Sequence, residues 1–187
     1  MDQRIDRSRT ALKQALFKLL LTRTYRSITV EDIVLCAGVA RSTFYVHYKD
    51  KDALLSGTVS GQTAVLGQLA SEGAQASMVV KTLDHFVWAG PAASTLLTPD
   101  ISPIISAAIA AHIEHHLRAR GLHRPGRLLV SSTMLSAMLA DAILAGIRIW
   151  LASPRRMSSE DLASALTRQA SAMIKASMAG MPVTTDA

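Results

Sequence analysis

The stretch that decides the fold is Thr29–Leu55, which reads TVEDIVLCAGVARSTFYVHYKDKDALL. Thr29 precedes two acidic residues, and its hydroxyl can accept a hydrogen bond from the first turn of a helix, so a helix is predicted from there to about Ala37. Gly38 ends this helix, and a second short helix is predicted over about residues 40–45. Two short helices joined by so tight a turn form a helix-turn-helix.

Alternation of apolar and polar residues indicates which faces of the two short helices are buried. Ile33, Val34, Ala37, Val39 and Phe44 are predicted to seal both helices against a preceding amphipathic helix over residues 7–23. The side chains left outside can hydrogen-bond to base edges or to phosphate oxygens. They are Arg41, Ser42, Thr43, Tyr45, His47, Tyr48, Lys49 and Lys51. This surface is predicted to contact duplex DNA.

Composition favours an all-helical protein of one or two small domains. Of 187 residues, 49% are hydrophobic and only 4% are aromatic, so Ala, Leu, Ile, Val and Met supply the apolar surface. The formal net charge of +6 suits a polyanionic partner. The single cysteine, Cys36, excludes an intrachain disulfide and is interpreted as a buried side chain. Residues 1–7 lack the order of a signal peptide, so a cytoplasmic location is expected.

Helical periodicity and cap residues predict about nine helices. After the helix-turn-helix they run over residues 51–69, 78–89, 102–121, 127–152 and 159–180, with residues 90–100 undefined and residues 181–187 as a frayed tail. A DNA-binding domain is expected over residues 1–50 and a second helical domain over residues 51–187. The apolar run 128–147 contains Asp141, whose cost at a bilayer centre favours a buried protein helix over a membrane span.

The run Phe44-Tyr45-Val46-His47-Tyr48, followed by Lys51, resembles the helix-turn-helix of TetR-type transcriptional regulators over about residues 10–55. The sequence departs from that pattern at Ala40, where Ser is commoner, and at Tyr48, where Phe is commoner. The resemblance implies a second helix that enters the major groove, with Arg41, Ser42 and Thr43 nearest the bases. It implies phosphate contacts from Tyr45, His47 and Lys51, and a capping residue near the DNA backbone at Thr29.

The resemblance also implies that the second domain encloses a small-molecule pocket and forms a dimer. The candidates for the pocket lining are Met78, His85, Phe86, Trp88, Met134, Met138 and Trp150. For the dimer, the helices 127–152 and 159–179 are expected to build a four-helix bundle with a second copy. Asp141 and Arg148 would pair across the two-fold axis near Ala145, although a solvent-facing or intrachain pairing explains the same spacing.

These observations predict a homodimeric regulator, a repressor released from a pseudo-palindromic operator by a small apolar effector. A DNA-binding regulator without an effector is the first alternative. A metal-binding helical protein is the second, since His112, His115 and His116 share one predicted helix, but no third ligand set accompanies them and no metal is expected. The chain has no G-x-S-x-G nucleophile motif and neither of the Gly-rich phosphate loops G-x-x-x-x-G-K and G-x-G-x-x-G, so neither an enzyme nor a cofactor is predicted.

Overall fold

The protein is described by a computed structural model over residues 3–71, 75–154 and 156–178. These ranges contain ten α-helices and no strand, which confirms the all-α prediction. The helices are α1 (Gln3–Leu20), α2 (Val30–Ala37), α3 (Arg41–His47), α4 (Lys51–Thr58), α5 (Ser60–Gly67), α6 (Ala76–Ala89), α7 (Pro91–Leu96), α8 (Ser102–Ala119), α9 (Ser132–Ala152) and α10 (Ser159–Met178). Two short 3₁₀ helices span Tyr25–Ser27 and Gln68–Ala70.

The chain divides into two compact units. The first comprises Met1–Gly61 and Gly90–Ile105, and the second comprises Gln62–Ala89 and Ser106–Ala187. The expected functional boundary between residues 50 and 51 stays a prediction.

The core of the first unit is built where α1 packs on α2, α3 and α4. Leu12 and Leu16 of α1, Ile33 of α2, Phe44 of α3 and Leu54 of α4 are all fully buried. The buried positions recur every three or four residues, so each helix directs one face inward. This arrangement leaves the opposite face of α3 outside.

The helix predicted over residues 51–69 is interrupted. The structure has α4, then Val59 outside regular helix, then α5 and a 3₁₀ turn. Thr58 Oγ1 and Ser60 Oγ hydrogen-bond to main-chain oxygens of α4, and Gly57 and Gly61 lower helix propensity on both sides of the break. The prediction of one continuous helix was wrong at this point.

The helix predicted from residue 127 begins later, at Ser132. Ser131 Oγ accepts a hydrogen bond from the amide of Met134 and so caps α9. The preceding segment turns away because the amide of Leu129 donates to the carbonyl of Ser177, 2.9 Å away. The undefined stretch 90–100 contains α7, with Pro91 in its first turn. The predicted end near Gly180 and the tail 181–187 lie outside the described residues.

The second unit contains the one described helix whose length and hydropathy would allow it to cross a membrane, α9. Its residues Leu139, Ala140 and Ile147 are at most 1% exposed, because they pack against protein. This burial agrees with the expectation of a core helix.

Candidate nucleic-acid interface

The helix-turn-helix has the predicted geometry. Thr29 Oγ1 accepts from the amide of Asp32 at 3.1 Å, and the Asp32 carboxylate accepts from the amide of Thr29 at 2.8 Å. This reciprocal capping box fixes the start of α2. Gly38 ends α2 in the left-handed conformation with φ 66° and ψ 34°, and α3 begins at Arg41 with no side-chain cap from Ala40.

An ion pair joins the segment after α1 to the start of α2. Arg23 Nη1 lies 2.9 Å from the Asp32 carboxylate, and Arg23 Nη2 donates to the carbonyl of Ser27 at 2.6 Å. Hydrogen bonds from Arg23 and Thr29 hold the pKa of Asp32 well below its usual range. The Thr29 hydroxyl is exposed but already donates to Asp32, so Thr29 serves chiefly as a cap.

The outer face of α3 is polar except at Val46. Arg41, Ser42 and Tyr45 are exposed while Phe44, in the same helix, is fully buried; Thr43 is half-buried. Arg41 Nη1 lies 3.2 Å from Glu31 Oε2, and Arg41 Nη2 donates to the Tyr45 hydroxyl at 3.3 Å. The guanidinium also lies over the Tyr45 ring, 5.7 Å from its centroid. Arg41 is therefore held at the surface between α2 and α3.

Val46 belongs to this face, although sequence reasoning passed over it. Its side chain is 74% exposed, one helical turn after Ser42. The spacing of four residues was the signal that could have identified it. An exposed methyl-bearing side chain beside polar groups can contact the methyl group of thymine.

Lys51 is turned inward, contrary to the expectation that it contacts phosphate. Its Nζ donates to the carbonyls of Tyr25 and Ile28, both at 2.7 Å, and lies 4.2 Å from the centroid of the Tyr25 ring. Burial lowers the pKa of Lys51, while Asp52 and Asp100 act in the opposite direction. The ammonium joins the start of α4 to the segment before α2, so its role here is structural.

Tyr48 was also predicted on the outside, and it is buried. Its ring packs on α4 at Gly57, where a Cβ would lie 3.1 Å from Tyr48 Cε1. The absence of a side chain at Gly57 makes room for the ring, and burial raises the pKa of the Tyr48 hydroxyl. Tyr48 therefore completes the core of the first unit instead of a DNA-facing surface.

His47 and Lys49 differ in how far they are available. His47 is half-buried, and its Nε2 lies 2.7 Å from the hydroxyl of Ser8 in α1. Lys49 is 84% exposed and has only a long ion pair with Asp50, 3.8 Å. Lys49 is thus positioned to meet an external anion, and His47 to hold α3 on α1.

The interpretation of Cys36 as buried was wrong, since its side chain is exposed. Ile33 and Val34 direct α2 toward the core, and at about 100° per residue Cys36 lies about 110° around the helix from the midpoint between them.

Five of the seven candidates for a small-molecule pocket have exposed side chains. Trp88 is 83% exposed and stacks on His85, with 5.8 Å between ring centroids. Met78, Met134 and Met138 are exposed as well, and Phe86 is half-buried. Trp150 is buried, and its Nε1 donates to the carbonyl of Met157 at 2.8 Å. The candidates were chosen for bulk, and most of them lie on the outer faces of α6 and α9.

The predicted interface residues of α9 are at its surface. Arg148 is exposed and Ala145 is half-buried. Asp141 accepts a hydrogen bond from the hydroxyl of Ser106 in the same chain. An intrachain partner therefore exists for Asp141, and its pairing with Arg148 of a second copy stays a prediction.

The three histidines of α8 do not form a metal cluster. No group of three or more potential ligands converges anywhere in the part of the chain that the structure describes. His112 packs against Gly67 of α5. A Cβ added at Gly67 would lie 2.4 Å from the Cβ of His112. Burial lowers the pKa of His116, and the charges of the neighbouring His115 and His112 lower it further.

Comparison with known proteins agrees with this geometry. The family model for the N-terminal domain of "Bacterial regulatory proteins, tetR family" matches residues 13–57. A 56-residue segment is 39% identical to the HTH-type transcriptional regulator YxbF of Bacillus subtilis (strain 168), a protein described as uncharacterized. That match covers 29% of this chain and 15% of the length of YxbF.

Solved structures extend the likeness to the fold of both units. A TetR transcriptional regulator from Streptococcus agalactiae 2603V has a TM-score of 0.55 at 24% identity, over 90% of this chain and 96% of its own. A TetR transcriptional regulator from Rhodococcus sp. RHA1 has a TM-score of 0.53 at 13% identity, over 93% of this chain and 98% of its own.

The helix-turn-helix is of the kind found in DNA-binding transcriptional regulators. More narrowly, residues 13–57 match the N-terminal domain of the tetR family of bacterial regulatory proteins. Members of this family are regulators and not enzymes, in agreement with the prediction from the sequence.

Proposed function

We propose that the chain is a homodimeric regulator that binds a pseudo-palindromic operator through α3, and that it acts as a repressor which a small apolar effector releases. The observation that carries the DNA-binding part is the exposed face of α3, where Arg41, Ser42 and Tyr45 point outward while Phe44 is fully buried. A helix whose buried face packs on the protein core and whose exposed face carries hydrogen-bond donors and acceptors is suited to insertion into the major groove.

The side chains of this face divide into groups that read bases and groups that hold phosphates. Arg41 can make a bidentate contact to guanine, and Val46 can contact a thymine methyl. Lys49, lying just beyond α3, is suited to a phosphate oxygen. Ser42 and Thr43 can hydrogen-bond either to base edges or to phosphate oxygens.

The DNA-binding part is tested by footprinting on DNA that flanks the protein's own gene. Replacing Arg41 by Ala should cost about 1–3 kcal/mol at the operator and relax the preference at one base pair per half-site. Replacing Lys49 by Met should weaken all duplexes alike. If the wild-type protein binds operator and random duplex equally at every salt concentration, the proposal is wrong.

The homodimer is supported by an exposed apolar stripe on α9. Met134, Met138 and Ile149 are 55%, 46% and 66% exposed, and their spacing places them on one helical face. Large exposed apolar side chains in a row mark an interaction surface, and a second copy can cover them with the same face. Between α9 and α10 a mostly apolar groove of about 250 Å³ lies open.

The dimer is tested by sedimentation of variants. Met138→Glu should shift the protein toward monomer, because a carboxylate in the centre of an apolar interface is costly to desolvate. Met78→Glu is the matched control: Met78 is 40% exposed on α6, so its substitution should leave the assembly unchanged. Equal effects of the two substitutions would show that α9 is not the interface.

A regulator without a small-molecule effector is the second candidate. It is favoured by the exposure of Met78, Trp88, Met134 and Met138, which removes most of the predicted pocket lining. The two candidates are separated by titrating an operator complex with a panel of apolar compounds. Because linkage is reciprocal, a true effector must lower operator affinity and must itself bind less tightly to the DNA complex. A panel without any such compound supports the second candidate.

A further inference from the structure

The segment that follows α8 is densely basic. Residues 118–127 read RARGLHRPGR, with four arginines and one histidine and no acidic residue. These side chains surround an open cavity of about 650 Å³, which Met178 at the end of α10 also lines. That volume is within the range of about 300–1,000 Å³ of small-molecule sites.

The loop that presents these arginines is held rigidly at its start. Gly121 ends α8 with φ 71°, and the amide of Leu122 donates to the carbonyl of Leu117 at 2.9 Å. Both leucine side chains are buried, which anchors the loop in the core of the second unit.

A second turn fixes the spacing of two arginines. The amide of Arg127 donates to the carbonyl of Arg124 at 3.3 Å, with Pro125 and Gly126 at the central positions and φ 74° at Gly126. These are the features of a type II turn, which holds the Cα atoms of its first and last residues within about 7 Å of each other. Beyond the turn, Leu129 is hydrogen-bonded to α10. The two guanidinium groups therefore start from neighbouring, ordered positions.

Cations at a helix C-terminus can simply complement the helix dipole, so the local charge balance decides whether a ligand is needed. Arg118 lies 2.9 Å from Glu114, which accounts for one arginine. The C-terminal end of α8 carries about half a negative charge, which offsets part of another. Arg124 and Arg127 lie beyond α8, and neither forms an ion pair with another residue that the structure describes.

A second cavity adjoins the first at Arg120, which lines both. It measures about 350 Å³ and combines Lys175 and the hydroxyl-bearing residues Ser71, Thr167 and Ser171 with apolar walls at Leu69 and Ile174. A molecule with a highly charged end and a less polar end can occupy the two cavities together.

We infer that the arginine cavity, residues 118–127 with Met178, binds a small molecule that carries a diphosphate or triphosphate group, and that the rest of this molecule lies in the adjoining cavity. A single carboxylate is satisfied by one bidentate arginine. The two guanidinium groups of Arg124 and Arg127 beside one cavity call for an anion with several acceptor oxygens, and guanidinium geometry matches phosphate. This ligand class differs from the apolar effector proposed above.

The test is calorimetric titration of the full chain with inorganic pyrophosphate and tripolyphosphate at about 0.15 M salt, where the Debye length is about 8 Å. Both anions should bind, tripolyphosphate more tightly, and orthophosphate should bind much more weakly. Arg124→Gln and Arg127→Gln should each weaken binding about tenfold, because each removes charge-assisted hydrogen bonds. Arg124→Lys should recover only part of the affinity, since lysine keeps the charge and loses the planar fork.

Lys81→Gln is the matched control, because Lys81 is an exposed cation on α6 of the same unit and lines none of the described cavities. Equal weakening by Lys81→Gln and Arg124→Gln would show diffuse attraction and overturn the site, as would absence of binding by the wild type. If Arg124→Gln weakens duplex DNA binding while the polyphosphates do not bind, the surface belongs to a nucleic-acid interface instead. The titration needs no operator, so its failure and failure of the proposed DNA-binding function are distinguishable.

Discussion

Replacing Lys51 by Met is expected to destabilise the first unit while leaving DNA affinity nearly intact in the folded protein. The Nζ atom donates to two main-chain carbonyls, of Tyr25 and Ile28, at 2.7 Å each, and lies over the Tyr25 ring. Methionine keeps the aliphatic stem and removes the donors. The substitution thus isolates the contribution of the ammonium.

The magnitude follows from the number of contacts and their exposure. A hydrogen bond to a charged group contributes about 1.5–3 kcal/mol, and leaving a carbonyl without a partner adds to the loss. Because Lys51 is only partly buried, water can reach some of the freed acceptors. The expected decrease in the free energy of unfolding is therefore about 2–3 kcal/mol, below the sum of two full bonds.

Lys49→Met is the matched control, two residues earlier in the chain. Lys49 is 84% exposed and its single ion pair with Asp50 is 3.8 Å long, so its loss should change stability by less than about 0.5 kcal/mol. If Lys49 contacts one phosphate per subunit, the slope of log affinity against log salt should shrink by about 1.8 in a dimer, at about 0.9 per phosphate.

Urea denaturation and operator titrations over a range of salt concentrations measure the two quantities. Lys51→Met should lower the urea midpoint without changing the m-value or the salt slope. Lys49→Met should leave the urea midpoint nearly unchanged and reduce the salt slope. If Lys51→Met leaves the midpoint in place and reduces the salt slope, the inward role assigned to Lys51 is refuted.

Two further predictions concern packing and pH dependence. Gly67→Ala should destabilise the second unit by about 1–3 kcal/mol, because the new Cβ would lie 2.4 Å from the Cβ of His112. The control is Gly61→Ala, whose Cβ meets no atom within 4 Å and which should be neutral or stabilising by up to about 1 kcal/mol. Thermal melts that show equal stability for the two variants would contradict the close approach of Gly67 to His112. Burial and the hydrogen bond to Asp52 raise the pKa of Tyr25 far above its ordinary value, so above about pH 10 the unfolded chain releases a proton that the folded chain keeps, and stability should fall by about 1.4 kcal/mol per pH unit from this group. Tyr25→Phe should show a shallower alkaline decline in urea titrations, and parallel curves would exclude this origin.

The helix-turn-helix could be predicted because its determinants are local. Thr29 caps the helix that begins one residue later, and Gly38 supplies the left-handed residue between α2 and α3. Each signal acts within a few residues, so the sequence pattern alone carries it. The start of α10 is equally local, since the hydroxyl of Ser158 accepts from the amide of Asp161 at 3.1 Å.

The parts that could not be predicted depend on contacts between distant residues. The partners of Lys51 lie 23 and 26 positions earlier in the chain, and no local pattern distinguishes an inward lysine from an outward one. Tyr48 is buried because Gly57 leaves space for its ring. The late start of α9 follows the hydrogen bond between Leu129 and Ser177.

Among the cations of the first unit, Lys51 has a structural role and Lys49 is proposed to contact phosphate, and Arg41 combines the two roles. Its ion pair with Glu31 is more than half exposed on both sides, so it contributes at most about 1 kcal/mol. A bidentate contact to guanine contributes about 1–3 kcal/mol, so exchanging Glu31 for the correct base is favourable. At a wrong base Arg41 retains Glu31 and suffers no loss. In the proposed DNA complex, the pair should order the side chain before binding and reduce base discrimination by its own free energy, so that specificity depends on both Glu31 and Arg41.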